Sequence, residues 1–242
     1  MSFRTDIHGL RGLAILLVVA YHVHLSRFSG GFVGVDVFFV LSGYLITGLL
    51  FKEFTTTGDI SLVEFYARRA RRLLPAAAVV LIATTLTAIL ILSPLEQRNL
   101  AWSGLTTALY VSNLFFLREA TDYLAAPPEN NPFLHTWSLS VEEQFYLVWP
   151  TLILLFVKVL KDRRAWITAI AMVAIASCAL SVWLTGFTQP WAFFGSPARV
   201  WEFAGGALAA LVPITIRRGR YALFEVCTAA GPGHDHRGGH RL

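Results

Sequence analysis

The chain has 242 residues, of which 55% are hydrophobic and only 14% are charged, and its mean hydropathy is +0.58. This charged share is about half that of an ordinary soluble domain, which excludes a water-soluble globule. The formal net charge of +5 does not require nucleic acid as a partner, because basic residues between apolar blocks are typical of cytoplasmic loops. The composition predicts a protein of the lipid bilayer that binds no nucleic acid.

Seven apolar segments follow one another, most of them near the roughly 20 residues that a helix needs to cross the hydrocarbon core. Helices are expected because lipid cannot satisfy exposed backbone groups, and these solid blocks lack the alternation of barrel strands. We predict an all-α polytopic membrane helix bundle with six or seven hydrophobic helices. The segments are residues 10–25, 33–51, 73–92, 101–117, 139–157, 165–184 and 200–216.

The distribution of basic residues predicts the number of crossings. With the N-terminus inside and all seven segments crossing, nine Lys and Arg residues lie on each side, which gives no bias. If residues 101–117 dip into the membrane or lie at its surface, the inside holds fourteen and the outside four. Both counts leave out Arg237 and Arg241. We therefore expect six crossings, one re-entrant or interfacial segment and a cytoplasmic N-terminus.

The composition changes near residue 217, where a short polar stretch rich in glycine and histidine begins. This change predicts a membrane domain over residues 1–216 and a disordered tail over residues 217–242. Cys178 lies in an apolar block and Cys227 in the tail, so no disulfide is expected. Phosphate loops and zinc-ligand spacings are absent from the sequence, and we expect no bound metal.

Arg11 and His22 are ionisable residues in the first apolar segment. Eleven residues of helix turn about 1100 degrees, about 20 degrees beyond three full turns, so both side chains project from one stripe. The rise of about 16 Å predicts that His22 lies near the middle of the membrane, where ionisable groups are functional candidates. A neutral imidazole there could act as a general base, relay a proton or simply hydrogen-bond a neighbouring helix.

Four arginines end the loop before the third segment: Arg68, Arg69, Arg71 and Arg72. Arg69 with Arg72, or Arg68 with Arg71, lie one helical turn apart and would form a fork suited to phosphate groups. A phosphorylated cytosolic donor could dock there. Alternatively, the arginines anchor the loop to lipid headgroups on the cytoplasmic side.

Several carboxylates stand at the edges of the apolar segments. Asp36 opens the second segment and could orient His22, pair with a cation or favour the helix start through the dipole. Glu142 and Glu143 could bind sugar hydroxyls or a proton, but Glu143 also fits a capping box with Ser140. A final pair, Arg199 and Glu202, lies one turn apart at the start of the seventh segment, where the two side chains could pair with each other.

Taken together, these motifs resemble acyltransferase family 3, the multi-pass membrane O-acyltransferases that modify O-antigen, exopolysaccharide, peptidoglycan and similar acceptors. The likeness covers roughly residues 3–212. It lies in Asp6-Ile-His-Gly-Leu-Arg11, Tyr21-His22, the stretch from Gly30 through Asp36 to Ser42, the stretch from Phe65 through Arg69 to Arg72 and Pro75, and the stretch from His135 to Glu142 and Glu143.

The resemblance implies acyl transfer, usually of acetyl, to a hydroxyl of a cell-surface carbohydrate or lipid-linked glycan. The donor is a cytosolic acyl-CoA used as co-substrate, with no bound cofactor, and the location is the plasma (inner) membrane. The family's Arg-x10-His pattern falls on Arg11 and His22, and its Arg-x-x-Arg pattern on Arg69 and Arg72. Together with the residue patterns, the resemblance assigns two sets of residues. The catalytic set is Arg11, His22, Glu142 and Glu143, and the substrate-binding set is Asp36, Ser42, Arg69 and Arg72.

Two alternatives remain open from the residues. The first is an incomplete and inactive acyltransferase. A family domain has roughly ten membrane helices, and at about 20 residues a crossing these ten helices need more chain than the seven segments supply. The other is a proton-coupled transporter or channel, in which His22, Asp36, Glu142 and Glu143 form a relay. A relay has no need of a phosphate fork, so the arginine pairs favour the enzyme.

Overall fold

The chain is mostly helical in the part that the structure describes, which is residues 5–23, 25, 27–122, 131–160 and 162–211 of a computed structural model. Within these ranges there are nine helices and no strand, so the prediction of an all-α fold is confirmed. The expected tail, residues 217–242 with Cys227, lies outside them. The helices are α1 (Thr5–His22), α2 (Val33–Thr57), α3 (Leu62–Ile91), α4 (Pro94–Ala108), α5 (Ser112–Thr121), α6 (Thr136–Val159), α7 (Arg163–Phe187), α8 (Gln189–Phe194) and α9 (Ser196–Leu211).

Four of these helices, α2, α3, α6 and α7, are long and apolar enough to cross a membrane. The first and seventh apolar segments lie in α1, which carries Asp6 and Arg11, and in α9, which is 16 residues long. The outer faces are apolar as well, and Leu90 of α3 is 86% exposed. Such faces suit lipid rather than water, so the prediction of a membrane protein is supported.

Residues 101–117 do not form one continuous helix. α4 ends at Ala108 and α5 begins at Ser112, and Tyr110 between them has a positive φ of 54°. This left-handed residue breaks the helical path because its carbonyl points away from the helix axis. The carbonyl accepts a hydrogen bond of 2.9 Å from the Gln144 amide instead.

The directions of α2 and α6 can be read from their side-chain contacts. Ser42 of α2 bonds Glu142 of α6, and five residues further along α2, Thr47 bonds Trp149. The residue numbers of the contacting pairs increase in the same direction along both helices, so α2 and α6 run parallel. They therefore begin at the same end of the bundle.

By the same reasoning, α3 runs antiparallel to α6. Tyr66 donates to the Leu147 carbonyl, whereas Arg69, later in α3, binds Glu143, earlier in α6. The end of α3 and the beginning of α6 therefore lie on the same side of the bundle. This arrangement favours the expectation that residues 101–117 lie between two crossings without making one of their own.

Close packing of α2 on α9 depends on two glycines. A Cβ on Gly43 would collide with the Phe203 carbonyl oxygen, and one on Gly206 would collide with the Val40 carbonyl oxygen. Phe203 stacks on Phe39 at the crossing, with ring centroids 4.6 Å apart. Small residues thus let the two backbones approach, as is typical of helix pairs in membranes.

Replacing Gly206 with alanine should destabilise the protein by about 1 to 3 kcal/mol, because the new methyl group overpacks the crossing. Gly205→Ala is the matched control, since a Cβ there meets nothing within 4 Å. Alanine at that exposed position favours the helix by up to about 1 kcal/mol. The measurement is thermal unfolding of both variants in detergent, and equal midpoints would contradict the packing argument.

Glycines also hold α1 against α2. A Cβ on Gly31 would collide with the Leu17 carbonyl oxygen, and one on Gly34 would meet the Ala14 carbonyl oxygen. These two glycines therefore let the backbones of the two segments approach closely. Because Gly31 precedes α2 while Leu17 lies late in α1, the helices run antiparallel, and the end of α1 lies near the start of α2.

Candidate functional site

His22 is the last residue of α1, and its imidazole is exposed. Its Nδ1 lies 2.7 Å from the Val18 carbonyl oxygen. A carbonyl only accepts, so Nδ1 carries the proton of the neutral ring and the lone pair of Nε2 remains available. α1 spans Thr5–His22 rather than residues 10–25, so His22 lies at a helix end, and its depth in the membrane stays a prediction.

A second histidine, His135, packs against His22. The two rings meet edge to face with centroids 4.4 Å apart, and Tyr21 lies on the other side of His22 at 5.2 Å. Desolvation, and secondarily the neighbouring His22 ring, lower the pKa of His135, which favours its neutral form. Sequence reasoning gave His135 no separate role, because its contact with His22 joins residues 113 positions apart.

Arg11 lies on α1 eleven residues before His22, about 16 Å away along the helix axis. Its guanidinium carbon is 6.0 Å from the centroid of the Phe38 ring on α2. It makes no hydrogen bond or ion pair with other residues in the part of the chain that the structure describes. Arg11 therefore shares a helix with His22 but does not contact it.

Glu142 joins α2 to α6 through hydroxyl groups. The Ser42 and Tyr146 hydroxyls both donate to its Oε1, at 2.5 Å each. Ser42 and Tyr146 are buried. The predicted site residues Ser42 and Glu142 are thus brought together, with Tyr146 as a partner that the sequence did not reveal.

Arg69 and Glu143 form a bidentate ion pair next to this cluster. The guanidinium donates from Nε to Oε2 at 3.0 Å and from Nη2 to Oε1 at 2.5 Å. Its carbon lies 3.2 Å from the Tyr146 ring centroid. Arg72, by contrast, is exposed and has no hydrogen bond or ion pair to another described residue. The expected fork of Arg69 with Arg72 is therefore not assembled.

The expected capping box of Ser140 with Glu143 is wrong. α6 begins at Thr136, one turn earlier, so Ser140 already lies within the helix. Its hydroxyl accepts the Ser112 N–H at 3.2 Å and lies 2.8 Å from the Ser112 hydroxyl. Glu143 is left to bind Arg69, which is a long-range contact that local spacing cannot reveal.

Asp36 binds Arg199 rather than His22. Nη1 of Arg199 donates to Asp36 Oδ1 at 3.0 Å and to Glu202 Oε1 at 2.7 Å. The expected pairing of Arg199 with Glu202 is therefore confirmed. Of the three possibilities for Asp36, pairing with a cation is the one observed.

A closed ring of hydrogen bonds fixes α5, α6 and α9 relative to one another. Gln144 Nε2 donates to Asn113 Oδ1 at 2.8 Å, Asn113 Nδ2 to Ser196 Oγ at 3.1 Å, and Ser196 Oγ to Gln144 Oε1 at 2.5 Å. A buried network whose members are all satisfied holds one arrangement of its helices. It therefore sets the positions of the neighbouring Glu143 and of Arg199, three residues after Ser196.

The described residues contain no group of three or more His, Cys, Asp or Glu residues arranged to hold a metal ion.

A family model described as an acyltransferase domain matches residues 4–232. The chain belongs to this acyltransferase family. The resemblance in the motifs around His22, Arg69 and Glu142 is thereby confirmed at the level of the family.

Among curated proteins, this acyltransferase is similar to O-acetyltransferases. It is 35% identical over 212 residues to peptidoglycan O-acetyltransferase OatA of Listeria monocytogenes, covering 86% of this chain and 33% of that protein. It is 32% identical over 206 residues to the putative peptidoglycan O-acetyltransferase YrhL of Bacillus subtilis, covering 84% and 32%. Its identity to O-acetyltransferase OatA of Staphylococcus aureus is 36% over 207 residues, covering 84% and 34%.

This acyltransferase thus spans about a third of the length of the curated relatives it matches. No solved structure matches the chain.

Proposed function

We propose that this acyltransferase moves an acetyl group from a cytosolic acyl-CoA donor to a hydroxyl of a cell-surface carbohydrate. The names of the relatives support acetyl as the group, and two of them name peptidoglycan, a carbohydrate of the cell envelope. The observation that carries the proposal is the free Nε2 of His22. Its ring is oriented by the Val18 carbonyl and packed against His135 at the end of α1.

His22 would act as the general base. The acceptor oxygen attacks the thioester carbonyl and forms the new C–O bond, while its proton passes to Nε2 of His22. The C–S bond then breaks and the sulfur of CoA leaves as a thiolate, which takes up a proton to become the thiol. Such a base contributes about 10²- to 10⁴-fold, and positioning two reactants contributes about 7 to 11 kcal/mol.

Phosphate groups of the donor would bind Arg72 first. Its side chain is exposed, whereas Arg69 is engaged by Glu143 and would have to exchange that carboxylate for a phosphate. Bidentate guanidinium groups suit phosphates as well as carboxylates, so this exchange is chemically matched. We assign Arg11 to the entrance of the site on the donor side.

The remaining predicted residues are engaged by other side chains. Asp36 binds Arg199, and Ser42 binds Glu142. We therefore assign them, with Glu142 and Glu143, to holding the helices around His22 in position. Direct contact with the acceptor is not required of any of them.

We further propose that the protein lies in the plasma membrane with its N-terminus in the cytoplasm. The excess of fourteen basic residues over four supports this orientation. The parallel course of α2 and α6 supports the lack of a crossing by residues 101–117. In this orientation, the loop between α2 and α3 faces the cytosolic donor.

Membrane vesicles of known orientation test the function and the orientation together. Labelled acetyl-CoA added outside inverted vesicles should acetylate a glycan acceptor inside them, because charged CoA does not cross lipid. Right-side-out vesicles should be inactive with external donor. Transfer only in right-side-out vesicles would reverse the orientation, and a lack of ester in both, with the protein present, would overturn the proposed function.

A further inference from the structure

One guanidinium, that of Arg199, serves two carboxylates from different helices. Asp36 of α2 and Glu202 of α9 both bind its Nη1, at 3.0 and 2.7 Å. Two acids therefore face a single positive charge. We propose that these residues form a proton-binding site, in which the Glu202 carboxyl holds a proton at neutral pH and Asp36 is the ionised partner of Arg199.

Burial of Glu202 is the first step of the argument. Its side chain is 0% exposed, and its Oε2 has no hydrogen-bond partner in the part of the chain that the structure describes. An ionised carboxylate with a bare oxygen in apolar surroundings is unfavourable, because neither water nor a donor compensates the charge. A proton on that carboxyl removes the charge and leaves Arg199 balanced by Asp36 alone.

The surroundings of the triad supply no second cation from the described residues. Helix α6 contributes the ring of Trp137, whose centroid is 5.7 Å from the Arg199 guanidinium carbon, and α8 contributes Phe193 at 5.3 Å. On α7, the Ser177 hydroxyl donates to the Pro197 carbonyl. The acids of the first turns of α6 are engaged elsewhere, with Glu142 bonded to Ser42 and Tyr146 and Glu143 bonded to Arg69.

Exposure decides which carboxyl holds the proton. The Asp36 side chain is 31% exposed and retains solvation, whereas that of Glu202 is 0% exposed. Like charges that share a site push a proton onto one of them, and the less solvated group takes it. Asp36 is then the route by which the proton exchanges with the surroundings. Asp36 and Glu202 bind Arg199 and not His22, so this proton is distinct from the one that His22 takes up in the proposed acyl transfer.

Infrared spectroscopy of the purified full chain in detergent at neutral pH tests the proposal. A protonated carboxyl group has a carbonyl band separate from those of carboxylates and amides. That band should shift when the protein is made with glutamate carrying heavy carbon at its carboxyl, and it should not shift with labelled aspartate. The lack of a glutamate-sensitive band in the parent protein would overturn the proposal without any variant.

Three variants test whether the carboxyl group of Glu202 gives rise to this infrared band. Glu202→Gln should remove it, and Asp36→Asn should remove it too, because Glu202 would then be the single partner of Arg199 and would ionise. Glu64→Gln, at an acid that is 70% exposed, is the matched control and should keep it. Helical circular dichroism checks that each variant is folded. A band that persists in folded Glu202→Gln or in folded Asp36→Asn would contradict the proposal.

Discussion

Replacing His22 with alanine should lower acetyl transfer about 10²- to 10⁴-fold, the contribution of a positioned general base. The loss is expected because Nε2 is the group that takes the proton of the acceptor hydroxyl. The amount of protein in the membrane should stay the same, since His22 is exposed and, among the described residues, hydrogen-bonds a carbonyl of its own helix alone. The measurement is ester formation from labelled acetyl-CoA in inverted vesicles, normalised to protein by immunoblot.

His8→Ala is the matched control for this experiment. His8 lies on the same helix, fourteen residues earlier, which places it about 21 Å from His22 along the axis. Its replacement should leave transfer within a few-fold of the parent. If His22→Ala were as active as the parent, the imidazole would have no part in the mechanism.

The second large effect is expected to separate the roles of Arg72 and Arg69. Arg72→Ala should weaken CoA binding about 10- to 100-fold, which corresponds to the roughly 1.5 to 3 kcal/mol of a charged hydrogen bond. It should leave the unfolding temperature unchanged, because Arg72 is exposed. Arg69→Ala should also lower stability, since it leaves the partly buried Glu143 unpaired, at a cost below the roughly 3 to 5 kcal/mol of a fully buried pair.

Isothermal titration with CoA and thermal unfolding in detergent measure the two quantities separately. Arg71→Ala is the control on the same helix, because Arg71 is exposed and, within the described ranges, donates to the Ala67 carbonyl alone. It should change neither quantity appreciably. Unaltered CoA affinity in the Arg72 variant would return these arginines to a lipid-anchoring role, and unaltered stability in the Arg69 variant would contradict the ion pair with Glu143.

The helices were predictable because their signals are local. Long apolar blocks predicted α2, α3, α6 and α7, since the need to satisfy backbone groups in lipid permits little else. The re-entrant or interfacial course of residues 101–117 was expected only from the charge count. The break at Tyr110 was not predicted, because the sequence near it carries no proline. Helix ends were less well predicted: α1 spans Thr5–His22 rather than residues 10–25.

The candidate residues were predictable one by one, but their partners were not. Ionisable groups in apolar segments identified His22, Asp36 and Arg69 as unusual. Their contacts join residues that lie far apart in the chain, so spacing could not assign Arg199 to Asp36 or His135 to His22. The capping-box prediction failed for the same reason, since a local motif competed with a distant guanidinium.

The pairing of Asp36 with Arg199 has a consequence for biosynthesis. The two residues are 163 positions apart, and ribosomes add about 5 to 20 residues per second. The aspartate is therefore synthesised roughly 8 to 33 s before its partner. During that interval the Asp36 carboxylate must be stabilised by the insertion apparatus or by water at the lipid headgroups. Arg199 takes over this role once α9 has been made.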